Sequence, residues 1–202
     1  MHSFWKKIEY WDQTLFLLIN QDGSNAFFDS WMPWIREAVM WAPLYLFLII
    51  FVLYNFRGKG AVWIMALLAT VALSDIVSSQ ILKVYVERIR PCNDPFIQQY
   101  LRFIIKRCPS SFSFTSSHAA NHFSLAMFVF YTGRQIIGPK LKLFFVWAGL
   151  ICYAQMYVGV HYPLDILGGT AFGLSIGYFM GKLFNKQFGL QISNIRVVVS
   201  DA

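Results

Sequence analysis

Five apolar windows dominate the chain, at residues 38–55, 61–83, 118–133, 143–160 and 164–181. A helix needs about 20 mainly apolar residues to cross a bilayer, or a few fewer with help from its flanks. In hydrocarbon every backbone N–H and C=O must be paired within the protein, so such segments fold as helices. The expected fold is all-α: a polytopic membrane helical bundle of about five, and at most six, transmembrane helices. Composition agrees, since 57% of the 202 residues are hydrophobic and 18% aromatic while only 13% are charged. Soluble domains carry about a quarter of their residues as charges.

Ahead of these windows, Phe4, Ile8, Trp11, Leu15 and Leu18 recur at steps of four and three, with Lys6, Lys7, Glu9 and Asp12 between them. That pattern predicts an N-terminal amphipathic helix lying on the membrane interface rather than across it. The same stretch has no uninterrupted apolar core and no small-residue cleavage site, so it does not read as a secretory signal. The net charge of +7 is spread among the apolar runs rather than gathered on one face. It suits helix ends and anionic headgroups, and argues against nucleic acid as a partner. Residues 1–202 show no repeat, low-complexity segment or linker and read as a single membrane domain, with 61–181 as its chemically equipped core. The tail from 187 to 202, with Ile192, Ile195 and an apolar run at 197–199, suggests no function.

Three polar clusters stand at the ends of the windows: Lys83 with Arg90-Pro91, Ser116-Ser117-His118, and His161 with Asp165. If the spans alternate in direction, the second-to-third and fourth-to-fifth connections open on one side and bring all three clusters together. The longest connection, 84–117, is too long for an idle loop. The opposite face carries Arg57, Lys59, Arg134, Lys140, Lys142, Lys182 and Lys186, which the positive-inside rule assigns to the cytoplasm. The long loop holds Arg88, Arg90, Arg102, Lys106 and Arg107, so counting alone is indecisive, but the 159–163 connection has no Lys or Arg. The site is therefore expected outside the cytoplasm. Cys92 and Cys108 share the long loop and are expected to pair in an oxidising compartment, whereas Cys152 lies inside a span.

Each cluster has an ordinary reading beside a chemical one. Lys and Arg at span ends commonly snorkel to water, yet Lys83 and Arg90 are seven apart, which puts them on one face if the helix runs on towards Pro91. There an ammonium and a guanidinium fork would grip phosphate oxygens. Small hydroxyl residues before His118 cap a helix, and the same geometry aims free N–H groups at an anion. His122, four residues beyond His118, reads as a packing residue; with no third ligand nearby, no metal is expected. His161 with a carboxylate four positions on suits an activated nucleophile, Asp165 taking one ring N–H and leaving the other nitrogen free. Asp75 reads equally as a functional group or as a structural partner within the bundle. Gly169, Gly173 and Gly177 form a groove for close helix approach.

These residues resemble the type 2 phosphatidic acid phosphatase family, whose fold is shared with vanadium haloperoxidases. The family motifs are Lys-x6-Arg-Pro, Pro-Ser-Gly-His and Ser-Arg-x5-His-x3-Asp. Lys83 to Pro91 match the first; Thr115-Ser116-Ser117-His118 match the second at Ser and His; His161 and Asp165 match the third, with Ala154-Gln155 where Ser-Arg is expected. The resemblance implies that His161 attacks phosphorus to form a phosphohistidine, oriented by Asp165, and that His118 protonates the leaving oxygen. Lys83, Arg90, Ser116, the Ser117 N–H and Gln155 would hold the phosphate. Gln155 brings no charge, a loss on the order of 2–4 kcal/mol of transition-state stabilisation, and Arg88 or Arg107 of the long loop are the candidates to replace it. The implied protein is a metal-independent, cofactor-free phosphatase of a lipid phosphate or diphosphate in the bacterial inner membrane, facing the periplasm. Undecaprenyl diphosphate is the favoured substrate, ahead of phosphatidylglycerol phosphate, phosphatidate and lipid A phosphate. The alternatives are phosphoryl transfer to a lipid or sugar hydroxyl, and a lipid-phosphate-binding protein that has lost turnover. The sequence carries no sign of oligomeric state.

Overall fold

The computed structural model describes residues 2–190; residues 191–202, and with them most of the tail, lie outside the described residues. The described residues form helices and loops without a strand: α1 (His2–Leu17), α2 (Ala26–Ile35), α3 (Ala42–Ile76), α4 (Lys83–Val86), α5 (Ser117–Ile137), α6 (Leu143–Tyr157) and α7 (Pro163–Gln187). The all-α expectation holds.

As one straight rod, α3 would be about 52 Å long at 1.5 Å per residue, well beyond a bilayer core. It is not straight. Arg57, at φ 50° and ψ −124°, breaks the ladder, and the chain doubles back. A methyl group at Gly60 would come within 2.5 Å of the Val52 carbonyl oxygen, although eight helical residues normally separate two such groups by about 12 Å. The two limbs share one core, in which Leu48, Val52 and Phe56 meet Trp63 and Leu67. Among the described residues, Ala38–Val86 is long and apolar enough to cross a membrane by length and composition, with a window of mean hydropathy 2.0. Its outer surface exposes Leu46, Phe47, Ile50, Leu53, Met65 and Leu68, an apolar belt that an aqueous surface would not tolerate.

Helix α5 is the central post, packed against α3, α6 and most closely α7. The closeness comes from the glycine row: side chains at Gly169, Gly173 and Gly177 would drive into the Ser116, Ala120 and Ser124 carbonyls of α5. The predicted groove is present, and it fixes the depth at which the start of α7 meets the start of α5.

The N-terminal helix forms as predicted, with Phe4, Trp11, Leu15 and Leu18 exposed and its other face buried through Asp12 and Phe16. Asp12, expected on the polar outer face, turns inward. Phe16 meets Tyr162 edge to face, the ring centroids 5.3 Å apart. The long connection is pinned by a disulfide between Cys92 and Cys108, the pairing expected from their shared loop. Asn20 ties it to α6 by donating to the Arg102 and Tyr157 carbonyls at 2.9 and 2.8 Å.

Candidate active site

The first cluster assembles differently from its sequence spacing. The helix carrying Lys83 stops at Val86, because Glu87 adopts a left-handed conformation at φ 51°. Lys83 and Arg90 therefore do not share a helix face; an extended segment carries Arg90 back. The Arg90 backbone, φ −73° and ψ 152°, is the extended form that a following proline favours. Its guanidinium is clamped on three sides: Nε donates to the Ser111 carbonyl at 2.7 Å, Nη2 to Ser111 Oγ at 3.0 Å, and Nη1 to the Val160 carbonyl at 3.0 Å. Lys83 and Arg90 are each only 5% exposed. Among the described residues, neither cation has a carboxylate within 4 Å. Burying an unpaired charge is costly, and an anion would offset that cost.

The third cluster supplies the facing groups. His161 Nε2 lies 3.1 Å from Arg90 Nη1. A guanidinium can only donate, so Nε2 is the acceptor and carries the lone pair, and the ring proton sits on Nδ1. That nitrogen faces Ser113 Oγ at 3.4 Å and Asp165 Oδ2 at 3.5 Å. Asp165 is fixed by four groups: it accepts from Ser113 Oγ, from the Tyr162 N–H at 2.8 Å and from Arg88 Nη1 at 2.8 Å, and its backbone carbonyl accepts from the Ser116 N–H. The arrangement leaves His161 in the tautomer whose free nitrogen points at Arg90.

The second cluster lies at the start of α5. The ordinary and the chemical readings of Ser116 coexist: Oγ accepts from the Ala119 N–H at 3.3 Å as a helix cap, which leaves its proton free to donate. Ser117 Oγ accepts from Ser78 Oγ at 2.9 Å. His118 is half-buried, and its ring stacks near-parallel to that of His122 with centroids 6.2 Å apart. His122 is a packing residue, as expected: its Nδ1 lies 2.8 Å from the His118 carbonyl and its Nε2 3.3 Å from the Tyr45 hydroxyl. Asp75 accepts from Asn121 Nδ2 at 2.8 Å, the structural role.

Gln155 is 1% exposed, and its Nε2 has no hydrogen-bond partner. Neither loop arginine expected to replace its missing charge is placed to do so. Arg107 is exposed. Arg88 is committed between two carboxylates, Asp165 and Asp12, and its guanidinium lies 4.2 Å above the Tyr162 ring. Asp12 completes the bridge by accepting from the Leu164 N–H at 2.8 Å. Asp12, Ser111, Ser113 and Tyr162 were not legible as parts of the site, and Arg88 was expected there in another role. The one available signal was an acid, Asp12, four positions before Phe16 on the face opposite the apolar stripe.

Burial is the main influence on these charges. It pushes the His161 imidazole down to about 4, with the Arg90 and Lys83 charges adding to the effect and Asp165 opposing it. The ring is thus neutral throughout the ordinary pH range. Burial also lowers Arg90, to about 10, where it remains a cation at neutral pH. Arg88 moves the other way, because its two carboxylates together outweigh the burial that opposes its charge. Asp12 has one cationic partner, and there burial prevails and raises its carboxyl.

The profile of the PAP2 superfamily matches residues 63–188. A lipid A 4'-phosphatase of Bacteroides thetaiotaomicron is 34% identical over 174 residues, covering 85% of this chain and 74% of that protein. A lipid A 4'-phosphatase of Porphyromonas gingivalis is 28% identical over 176 residues, covering 86% and 72%. Among solved structures, a transmembrane PAP2-type phosphatidylglycerolphosphate phosphatase from Bacillus subtilis superposes with a TM-score of 0.65 at 21% identity, over 90% of this chain and 87% of that one.

Proposed function

The chain belongs to the PAP2 superfamily, and from that premise we propose that it is an integral-membrane lipid phosphatase working through a phosphohistidine on His161. The observation that carries the reading is the pair of buried cations, Lys83 and Arg90, unopposed by carboxylate among the described residues, with Arg90 adjoining the lone pair of His161 Nε2. A binding protein needs the cations alone. It has no use for a neutral imidazole held in one tautomer by Ser113 and Asp165.

In this reading Arg90 Nη1 shifts its hydrogen bond from Nε2 to a phosphate oxygen, and Nε2 then attacks phosphorus. The phosphorus–oxygen bond to the lipid breaks, and His118 gives a proton to the departing oxygen. Nδ1 carries its proton throughout, and Asp165 balances the positive charge that forms on the ring. Water, deprotonated by His118, then attacks phosphorus and breaks the phosphorus–nitrogen bond. Lys83, Arg90, the Ser116 hydroxyl, the Ser117 N–H and Gln155 stabilise the charge on the phosphoryl oxygens. None of these steps calls for a metal.

Beside the site, an apolar cavity of ≈ 320 Å³ is lined by Tyr45, Leu48, Leu67, Val71, His122 and Leu125. It starts one helical turn from His118 and suits a lipid tail. The five windows serve as spans, with the α3 hairpin supplying two, and the site opens on the periplasmic side of the inner membrane. For the substrate, the two lipid A 4'-phosphatase relatives favour the phosphate of a saccharolipid over the undecaprenyl diphosphate expected from sequence.

The test is phosphate release by purified protein in detergent with EDTA, against lipid A, undecaprenyl diphosphate, phosphatidylglycerol phosphate and phosphatidate, with His161→Ala in parallel. Release from lipid A, lost in the variant, is expected. Release from undecaprenyl diphosphate alone would reverse the substrate order. Capture of the phosphoryl group by an added alcohol at the expense of free phosphate would indicate a transferase. No release from any lipid would leave a binding protein.

A further inference from the structure

The cation that α6 lacks at Gln155 has a counterpart in a segment outside the family match, at the C-terminal end of α2. Helix α2 is anchored rigidly. Asn25 caps its first turn, accepting from the Phe28 N–H at 2.9 Å. Asp29 accepts two hydrogen bonds from Arg102, at 3.2 and 2.7 Å, and a third from the Tyr157 hydroxyl at 2.6 Å. Met32, one turn on, packs with Ala154, Tyr157 and Val160. One further turn brings the chain to Arg36, whose N–H bonds back to the Met32 carbonyl at 3.3 Å. The Trp41 indole N–H closes the end by donating to the Ile35 carbonyl at 2.8 Å. Met32 shares a buried cluster with Ala154, the residue that precedes Gln155, so α2 runs beside this stretch of α6.

The Arg36 side chain is only 12% exposed, far less than an arginine at a free helix end. Its Nε is sealed from solvent, makes no hydrogen bond among the described residues and lies 3.3 Å from Glu37 Oε1. The one carboxylate within 4 Å belongs to its chain neighbour Glu37, at 3.3 Å, and that group is itself 56% exposed. The positive charge of Arg36 adds to the burial that lowers the Arg90 guanidinium. Two side-chain nitrogens, Arg36 Nε and Gln155 Nε2, are thus buried without a hydrogen bond among the described residues. Helix-end placement explains a cation near the last carbonyls. It does not explain sealing that cation away from water.

We propose that Arg36 is a phosphate-binding residue, supplying from α2 the positive charge that position 155 of α6 does not carry. This inference rests on the phosphatase reading and adds to it a substrate contact from the N-terminal segment. The transferred phosphoryl group, with two negative charges, meets three cations in Lys83, Arg90 and Arg36. The charge of Arg88 is consumed by Asp12 and Asp165. In this scheme Gln155 supplies a neutral hydrogen bond and Arg36 the charge.

The proposal makes a relocation prediction that a merely structural arginine would not meet. Arg36→Gln, which keeps much of the buried stem, should lower kcat/KM by roughly 100-fold, the scale for one oxyanion donor. Gln155→Arg in that background should restore at least a tenth of wild-type activity, because the charge returns to its motif position. Glu37→Gln, which removes the ion-pair partner only, should stay within threefold of wild type. Binding of orthovanadate, followed by 51V NMR, reads the same site without turnover: Arg36→Gln should weaken it at least tenfold. Arg36→Gln with wild-type kcat/KM and wild-type vanadate affinity would overturn the proposal. So would a loss of activity that Gln155→Arg fails to rescue while Glu37→Gln loses as much. If wild-type protein releases no phosphate from any lipid, the phosphatase reading fails, and vanadate affinity still decides whether Arg36 binds an oxyanion.

Discussion

Removing the Arg88 charge tests how the site is held together. Arg88 joins Asp12 of the N-terminal helix to Asp165 of α7, two carboxylates that are 1% and 0% exposed. Arg88→Met keeps the apolar stem over Tyr162 but leaves both acids without their cation. Loss of one partner of a buried pair typically costs about 3–5 kcal/mol. Arg88 is itself 22% exposed, so water can enter in its place. Asp165 also keeps the Ser113 and Tyr162 donors, and Asp12 keeps the Leu164 N–H. Those remaining donors argue for the low end, about 3 kcal/mol, or a drop in Tm of roughly 6–12 °C for a chain of this length. Activity should fall further than stability, by about 10- to 100-fold, because Asp165 orients His161 and small displacements there are costly. Asp12→Asn added to Arg88→Met should cost less than the two single changes summed, since it removes one of the stranded charges. Thermal unfolding in detergent and phosphate release on the same samples provide both readouts. An Arg88→Met protein as stable and active as wild type would refute the bridge.

Three further outcomes are expected. The His161 ring, followed by 15N NMR of labelled histidine, should stay neutral down to about pH 4 and protonate only below it. A midpoint near 6.5 would mean that water reaches the ring. Because its folded value lies below the ordinary one, this group's contribution to stability is fully present above pH 6.5 and is lost as pH falls from 6.5 towards 4. Gly173→Ala would force a methyl group into the Ala120 carbonyl, costing about 1–3 kcal/mol or more by overpacking, whereas Gly149→Ala, which meets nothing within 4 Å, should be neutral in the same unfolding assay. Opening the Cys92–Cys108 bridge by Cys92→Ser should cost about 3 kcal/mol in the chain-entropy model. Added reductant should reproduce that loss in wild-type protein but not in the variant.

The parts of this protein governed by local pattern could be read from the chain alone. The apolar windows, the glycine row on α7, the stripe on α1 and the meeting of Arg90 with His161 all follow from periodicity and alternating direction. Lys83 and Arg90 were expected on one helix face, but the left-handed residue at Glu87 ends the helix, and nothing in its side chain announces that conformation. Asp12 and Ser113 were missed because their partners lie far away in sequence; Asp12 and Arg88 are 76 residues apart. Arg88 was considered as a phosphate ligand, and only the bridge to two acids explains why its charge is spent. Arg36 was passed over because an arginine at a helix end looks ordinary until its burial is known.

The most direct test of the central claim is a rapid-quench experiment with lipid A carrying 32P in its 4'-phosphate. His161 as the nucleophile predicts a transient, acid-labile and base-stable 32P adduct that maps to His161 and decays as free phosphate appears, and its absence in His161→Ala. Phosphate release by His161→Ala at the wild-type rate, with no adduct in either protein, would contradict it.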